Sequence, residues 1–166
     1  MKTKQKIIEI FDTEKEGMFR YASYRLQDMK DVEDAMHNLY VKLLSKPELV
    51  AGVANLRAYV YRALCNECTS SVKARSKFPT ESIDSFEALS SEEMLPENFE
   101  QEFALINKLL ALLPEEQSET IRLHLHGGLT FRQIARIMDV PLPTAKARFR
   151  YGIVKLRGIL RKKDLL

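Results

Sequence analysis

An acidic segment without a single Lys or Arg divides the chain, and it limits how the rest can fold. Residues 79–103 carry 8 Asp or Glu, whereas residues 1–78 carry 14 basic and 10 acidic residues, and residues 104–166 carry 12 and 5. The segment is rich in Ser, Thr and Pro and has no apolar stripe, so burial cannot offset the entropy of ordering it. We predict an acidic linker at 79–103 between two small domains, 1–78 and 104–166. The linker is either a solubilising spacer or a segment that follows a basic channel in a partner.

Apolar residues recur at helical spacing in the first domain, which predicts three helices. The stripes run through Ile7, Ile10, Phe11, Met18 and Ala22, through Val32, Ala35, Leu39 and Leu43, and through Leu56, Val60, Ala63 and Leu64. Asp28 and Asp31 are start signals for the second helix, and Pro47 follows its end.

The second domain has its own helix start and stop signals. Pro114, followed by two acidic residues, opens a helix, and Gly127-Gly128 ends it. Between them Ile121, Leu123 and Leu125 alternate with polar residues, which is the periodicity of a strand. The flanking caps favour a helix, so the predicted fold class is all-α, with two small helical domains.

The segment after Gly128 has the anatomy of a helix-turn-helix. Thr130 and Gln133 form a capping-box pattern before a short helix, and residues 139–143 break that helix tightly. A longer helix is predicted to open at Thr144. At about 100° per residue, one face of it is apolar and should be buried. That face comprises Ala145, Phe149, Gly152, Ile153, Leu156 and Leu160.

The rest of this long helix suits the major groove of DNA. Basic residues on its two flanks can meet the phosphates, while small side chains between them face the base edges. The candidate base-reading residues are Thr144, Ala147, Arg148 and Tyr151, and the candidate phosphate-binding residues are Lys146, Arg150, Lys155 and Arg157. An ordinary amphipathic helix with solvated basic residues is the alternative.

The third helix of the first domain carries a polar face with one aromatic residue. Its members recur at three- and four-residue spacing and are Tyr59, Arg62, Asn66, Thr69 and Lys73. Aromatic, amide and basic groups on one face suit single-stranded DNA, where bases stack and phosphates need neutralising. A solvated polar face is the alternative.

Other signals do not support catalysis or metal binding. Cys65 and Cys68 form a CxxC inside a predicted helix with no second pair, which favours two small, partly buried thiols over a redox or zinc site. His124 and His126 diverge on a helix. We therefore expect no catalytic residues, no metal and no cofactor. No apolar run approaches the ~18 residues of a membrane span, and Met1 does not lead into a signal peptide, so we expect a cytoplasmic protein without membrane insertion.

Three separated pieces of the second half closely resemble domain 4 of bacterial sigma factors of the extracytoplasmic-function (ECF) group of the sigma-70 family. They are residues 112–116, 128–135 and 144–148, in the family's order and spacing. The resemblance implies that this domain recognises the −35 promoter element. The chain departs from the family at Tyr151-Gly152, where an Arg-Ala pair is usual, and at Ile153, where a basic residue is common.

The first half resembles domain 2 of the same family. Residues 31–44 resemble region 2.2, which docks on a coiled coil of the polymerase β′ subunit, although acidic residues at a helix start need no partner to explain them. The resemblance implies polymerase contacts by Asp31, Glu33, Asp34, His37, Asn38 and Tyr40.

Residues 56–62 with Asn66 resemble regions 2.3–2.4, which open and hold the −10 element, and residues 45–55 correspond to the family loop that captures a flipped-out base. The family often has Trp near Tyr59, and this chain has no Trp, so stacking would fall to Tyr59 or Tyr61. The resemblance thus implies −10 contacts by Tyr59, Tyr61, Arg62, Asn66, Thr69 and Lys73.

The resemblance implies a sigma factor that binds core RNA polymerase and promoter DNA, and the family suggests an anti-sigma factor as a further partner. Two other interpretations remain. One is a helix-turn-helix regulator that binds duplex DNA alone, as a dimer on a palindrome. The other is a polymerase-binding interaction protein with weakened DNA reading, suggested by Tyr151-Gly152-Ile153.

Overall fold

A computed structural model describes residues 2–77 and 99–162, and within these ranges the regular structure is entirely helical. The chain divides into two units, one containing the helices of residues 2–77 and the other those of residues 99–162. The all-α prediction is confirmed. None of the described helices is long and apolar enough to cross a membrane.

The first unit is a bundle of three long helices. Its helices are α1 (Lys2–Leu26), α2 (Met29–Ser45) and α3 (Leu56–Lys77), with a short 3₁₀ turn at Pro47–Leu49. The α1–α2 junction is tight because Gln27 adopts a left-handed φ of 63°. Asp28 then caps α2, since its side chain accepts a hydrogen bond from the Lys30 backbone N–H at 2.9 Å, as the sequence predicts.

The core of this unit consists largely of the predicted stripes. Met18 and Ala22 of α1, Leu39 and Leu43 of α2, and Val60 and Leu64 of α3 are all buried. Tyr61, Cys65 and Cys68 are also buried on α3. The buried side of α3 therefore lies opposite its polar face, as helical periodicity requires.

In the described part of the second unit, residues 99–162, there are four helices and one π-helical segment. They are α4 (Phe99–Ala111), α5 (Glu115–Ile121), the π segment (Arg122–His126), α6 (Phe131–Met138) and α7 (Leu142–Lys162). Helix α4 begins inside the segment predicted as a linker, because Phe103 and Leu110 supply a buried apolar stripe despite the acidic residues before them. Residues 79–98 of the predicted linker lie outside the described residues.

The π segment accounts for the strand-like alternation in the sequence. The backbone is helical, as the caps predict, and Leu123 is fully buried while Leu125 is 56% exposed. Arg122 is buried with its guanidinium 3.2 Å from the Glu119 carboxylate and 3.7 Å from that of Glu115. The alternating segment is therefore helical, and Arg122 is one of its polar residues that is buried in an ion pair.

The helix-turn-helix is formed by α6 and α7. The capping box at its start is confirmed: the Gln133 N–H donates to Thr130 Oγ1 at 3.1 Å, and the Thr130 N–H donates to Gln133 Oε1 at 2.9 Å. Asp139 ends α6 in the left-handed conformation. Helix α7 begins at Leu142, two residues before the predicted start, because Pro143 falls in a first turn that needs no N–H from it.

Candidate nucleic-acid interface

The exposed face of α7 carries the basic and aromatic side chains that the sequence assigns to duplex DNA. Lys146, Arg150, Lys155 and Arg157 are exposed. Tyr151 is 57% exposed, and the Arg150 guanidinium lies 5.4 Å from the centre of its ring. Val154, which is not among the predicted reading residues, is 60% exposed on the same helix.

The other candidate base-reading residues are less accessible to solvent than Tyr151. Thr144, Ala147 and Arg148 are half-buried. The Arg148 guanidinium lies 3.7 Å from the carboxylate of Glu116, which is near the start of α5. This arginine is therefore already engaged by an anion when the protein carries no DNA.

The position of α7 depends on a close approach to α5. A Cβ atom placed on Gly152 would lie 2.7 Å from the Cδ1 atom of Ile121 and 3.4 Å from the Cβ atom of Gln117. Ile121 is itself 2% exposed, in a cluster with Leu110 and Leu113. Glycine therefore lets α7 pack closer to α5 than any other residue would.

An aromatic cluster joins the π segment, α6 and α7. The His124 ring stacks on Phe131 with the ring centres 4.3 Å apart, and both rings meet Phe149 edge-on at 4.9 and 5.1 Å. His124 Nδ1 also lies 2.8 Å from the Leu129 carbonyl oxygen. The cluster ties the two helices of the helix-turn-helix to the preceding turn. Nothing in the spacing of these three residues predicts it.

The polar face of α3 forms one wall of a cleft in the first unit. Tyr59, Arg62 and Asn66 line this cleft, which has a volume of about 320 Å³. The other polar lining residues are Lys42 of α2 and Glu67 and Ser70 of α3. The sequence pattern does not indicate Lys42, because its proximity to α3 depends on how the helices pack. It does not indicate Glu67 either, because an acidic residue does not fit a simple phosphate-binding face.

Two other predicted members of this face lie outside the cleft lining. The Thr69 hydroxyl donates to the Cys65 carbonyl oxygen at 2.9 Å, so it is engaged with its own helix. Lys73 is exposed further along α3. The structure thus brings together Tyr59, Arg62 and Asn66.

The assignment of Tyr61 to a base-stacking role is wrong. Its side chain is fully buried, and its hydroxyl donates to the Glu14 carboxylate of α1 at 3.1 Å. Glu14 also lies 2.6 Å from Arg57 Nε. Burial, followed by the charge of Glu14, raises the pKa of the Tyr61 phenol well above its usual value. Because Tyr61 is two residues from Tyr59, it faces the core, and only Tyr59 lines the cleft.

The residues of α2 predicted to contact polymerase lie in two places. Asp31, Asp34 and Asn38 line a cleft against α3 together with Glu67, Ser70 and Ser71, and this cleft adjoins the one lined by Tyr59 because Glu67 and Ser70 line both. Glu33, His37 and Tyr40 line an apolar groove between α2 and α1. The apolar residues of this groove are Phe11 and Phe19 of α1 and Met36 of α2. The acidic helix start and the apolar groove are thus separate surfaces.

The two cysteines of α3 are buried free thiols. Within residues 2–77 and 99–162, no group of three His, Cys, Asp or Glu residues is arranged to hold a metal ion.

Comparison with known proteins agrees with this geometry. Residues 109–158, which span most of the second unit, match the family model "Sigma-70, region 4". The ECF RNA polymerase sigma-E factor of Escherichia coli K12 is 26% identical over 129 residues, which cover 71% of this chain and 68% of that protein.

Two solved structures share the fold. CnrH, in complex with the cytosolic domain of CnrY, superposes with a TM-score of 0.71 at 15% identity, covering 94% of this chain and 88% of CnrH. The sigma factor RpoE of Bartonella quintana, in complex with the anti-sigma factor NepR, has a TM-score of 0.63 at 18% identity, covering 95% of this chain and 96% of RpoE. Residues 109–158 thus match the sigma-70 region 4 family, and the chain as a whole is similar to ECF sigma factors in sequence and in fold.

Proposed function

We propose that this protein binds core RNA polymerase and directs promoter-specific transcription initiation. The observation that carries the proposal is the exposed basic face of α7, which lies within the segment that matches sigma-70 region 4. A basic helix that follows a short helix and a tight turn has the geometry of a recognition helix. In this proposal α7 enters the major groove at the −35 element.

The side chains of α7 divide into positioning and reading groups. Lys146 and Arg150 neutralise phosphates, which fixes the register of the helix on the duplex. Tyr151 and Ala147 present apolar surface to the bases, where a thymine methyl is the natural contact. Lys155 and Arg157 continue the basic flanks along the helix.

The first unit holds the opened −10 strand and contacts polymerase. Tyr59 offers a stacking surface in the α2–α3 cleft, and Arg62 offers a cation for the strand. The acidic start of α2 and the separate apolar groove against α1 are the two proposed docking surfaces for the polymerase β′ coiled coil. The chain acts by binding and positioning, without catalytic chemistry of its own, and it works in the cytoplasm, where polymerase and DNA are found.

An anti-sigma factor is the further proposed partner. The support is that the sigma factor RpoE, which shares this fold, was solved with the anti-sigma factor NepR. Such a partner would compete with polymerase for the same protein.

Transcription in vitro tests the proposal even though the promoter sequence is not specified in advance. Core polymerase is incubated with the purified protein and fragmented genomic DNA of the source organism, and the 5′ ends of the transcripts are sequenced. The expected result is a set of start sites, absent with core alone, that share sequence near −35 and −10. Operator binding by a dimer without polymerase would instead support a stand-alone regulator. Polymerase binding without new start sites would support an interaction protein.

A double substitution tests the proposed face of α7. Replacing Lys146 and Arg150 by Ala removes two phosphate contacts, so the slope of log affinity against log salt should fall by about two for a promoter found in the transcription assay. The Lys4/Lys6 double Ala variant makes the same change in net charge on α1 and should leave the slope unchanged. An unchanged slope in the α7 variant would show that another face binds the DNA.

A further inference from the structure

The α2–α3 cleft contains a carboxylate where an anionic strand is proposed to bind. Glu67 is half-buried in the cleft, next to Asn66 and across from Lys42, and it also lines the neighbouring cleft that contains Asp31 and Asp34. Within residues 2–77, no hydrogen bond or ion pair engages its carboxylate in the structure. A carboxylate in this position repels phosphates, so its presence is unfavourable for DNA binding unless it accepts a hydrogen bond from a base.

The cleft has the size and chemistry for one base. Its volume of about 320 Å³ is at the small end of ligand pockets, which excludes a stacked duplex but admits a single unstacked base. Tyr59 supplies an aromatic surface, and Lys42 and Arg62 supply cations for the adjoining phosphates. The polar atoms left to meet the base edge are those of Asn66, Glu67 and Ser70, and Glu67 is the one charged group among them.

We propose that this cleft holds one base of the single strand and that Glu67 selects a base with an exocyclic amino group. A carboxylate only accepts hydrogen bonds, and an amino group such as N4 of cytosine is its natural donor. Thymine presents a carbonyl oxygen at the same position, which a carboxylate repels. The inference deepens the function proposed above for the first unit and rests on it.

Lys42 contributes to phosphate binding in this arrangement, which is a different role from that of Glu67. It is exposed on α2 and lines the cleft opposite α3, so its ammonium group meets the phosphate rather than the base. Because a phosphate contact carries no sequence information, Lys42 strengthens binding of every strand equally. Glu67 of α3 therefore supplies specificity, whereas Lys42 of α2 supplies affinity alone, together with Arg62 of α3.

Binding of short oligonucleotides by the full chain tests the selection directly. The probe is oligodeoxythymidine of about twelve nucleotides, with one central thymine replaced by cytosine or by uracil. Uracil keeps the carbonyl group of thymine but lacks its methyl group, so it separates the effect of the amino group from that of size. Wild-type protein should bind the cytosine probe about fivefold more tightly than the other two, measured by fluorescence anisotropy at low salt.

The substitution Glu67→Gln should abolish this preference. A glutamine amide both donates and accepts, so it can meet either the amino group of cytosine or the carbonyl group of thymine. Glu16→Gln, on an exposed part of α1, is the matched control and should retain the preference. A preference that survives Glu67→Gln, or no binding of any probe by the wild type, would overturn the inference.

The Lys42→Gln variant separates the two roles. It should weaken binding of all three probes alike, with a salt slope lower by about 0.7, while the cytosine preference remains. An unchanged slope would remove Lys42 from the site. Because these assays contain no polymerase, their failure is distinguishable from failure of the proposed function: new start sites in the transcription assay without a cytosine preference would reject only the base selection by Glu67.

Discussion

Replacing Gly152 by Ala tests whether the close approach of α7 to α5 is a real constraint. The added methyl group would lie 2.7 Å from Ile121 Cδ1, well inside van der Waals contact. Overpacking of this kind costs about 1–3 kcal/mol, whereas Ala gains about 1 kcal/mol over Gly in a helix interior. We therefore expect the second unit to lose about 1 kcal/mol of unfolding free energy.

Gly158 provides a matched control on the same helix. A Cβ atom there would meet nothing within 4 Å, so Gly158→Ala should show the helix-propensity gain alone and stabilise the unit by about 1 kcal/mol. The same substitution at the two glycines is thus expected to change the unfolding free energy in opposite directions.

A double-mutant cycle identifies the atom responsible. Ile121→Val removes Cδ1 and costs about 1 kcal/mol by itself. In that background the Gly152→Ala change should become neutral or stabilising, which gives a favourable coupling energy of about 1–2 kcal/mol.

Hydrogen exchange of α5 and α7 peptides is the suitable measurement, because two units can unfold separately and a global melting curve would mix them. If Gly152→Ala stabilises α7 as much as Gly158→Ala, the steric argument is refuted. The result would also show whether the Ala that is usual in the family at position 152 can be accommodated in this chain.

Three further substitutions test contacts within the two units. Tyr61→Phe removes the hydrogen bond to Glu14 and should cost the first unit about 1 kcal/mol in urea unfolding at neutral pH, followed by a probe confined to that unit. Because the pKa of the Tyr61 phenol is raised in the folded state, this stabilisation is complete below pH 10, the pKa in the unfolded state, and declines above it. The wild type should therefore lose its advantage in unfolding free energy over Tyr61→Phe in alkali, and an advantage that increases there would contradict the assignment. Thr130→Ala removes the α6 cap and should cost about 1 kcal/mol, seen as faster amide exchange at the start of α6; unchanged exchange would show that the cap contributes nothing. Arg122→Leu removes the cation beside the buried Glu119 carboxylate and should cost about 3–5 kcal/mol by hydrogen exchange of the second unit, whereas a loss below 1 kcal/mol would show that this ion pair contributes little to stability.

Local signals in the sequence predict the helices well. The capping box at Thr130 and Gln133 and the cap at Asp28 depend on residues within three positions of each other, so they can be recognised without tertiary structure. The predicted start of α7 lies two residues too late, because Pro143 is equally typical of a helix break. A proline in the first turn of a helix breaks no hydrogen bond, so the same residue is compatible with both interpretations.

The candidate site is only partly predictable, for a physical reason. Tyr59, Arg62 and Asn66 recur with the helical period and lie together, whereas Tyr61 belongs by the same period with the buried Leu64 and could have been placed correctly. Its partner Glu14 is 47 residues away, and no local pattern indicates that contact. Glu67 illustrates the same limit, since its surroundings depend on the packing of α2 against α3.

The contact between Arg148 and Glu116 has a consequence for the search along a genome. When an arginine that is already paired with a carboxylate binds DNA, the gain in free energy is only the difference between its ionic contact with the DNA and the one that it gives up. This exchange is favourable where a base accepts hydrogen bonds from the guanidinium, but it is nearly neutral on DNA of random sequence. A surface pair of this kind is worth up to about 1 kcal/mol, which shortens each stay on non-promoter DNA by up to about fivefold. An intramolecular contact that binds no DNA can therefore speed the scanning of a chromosome.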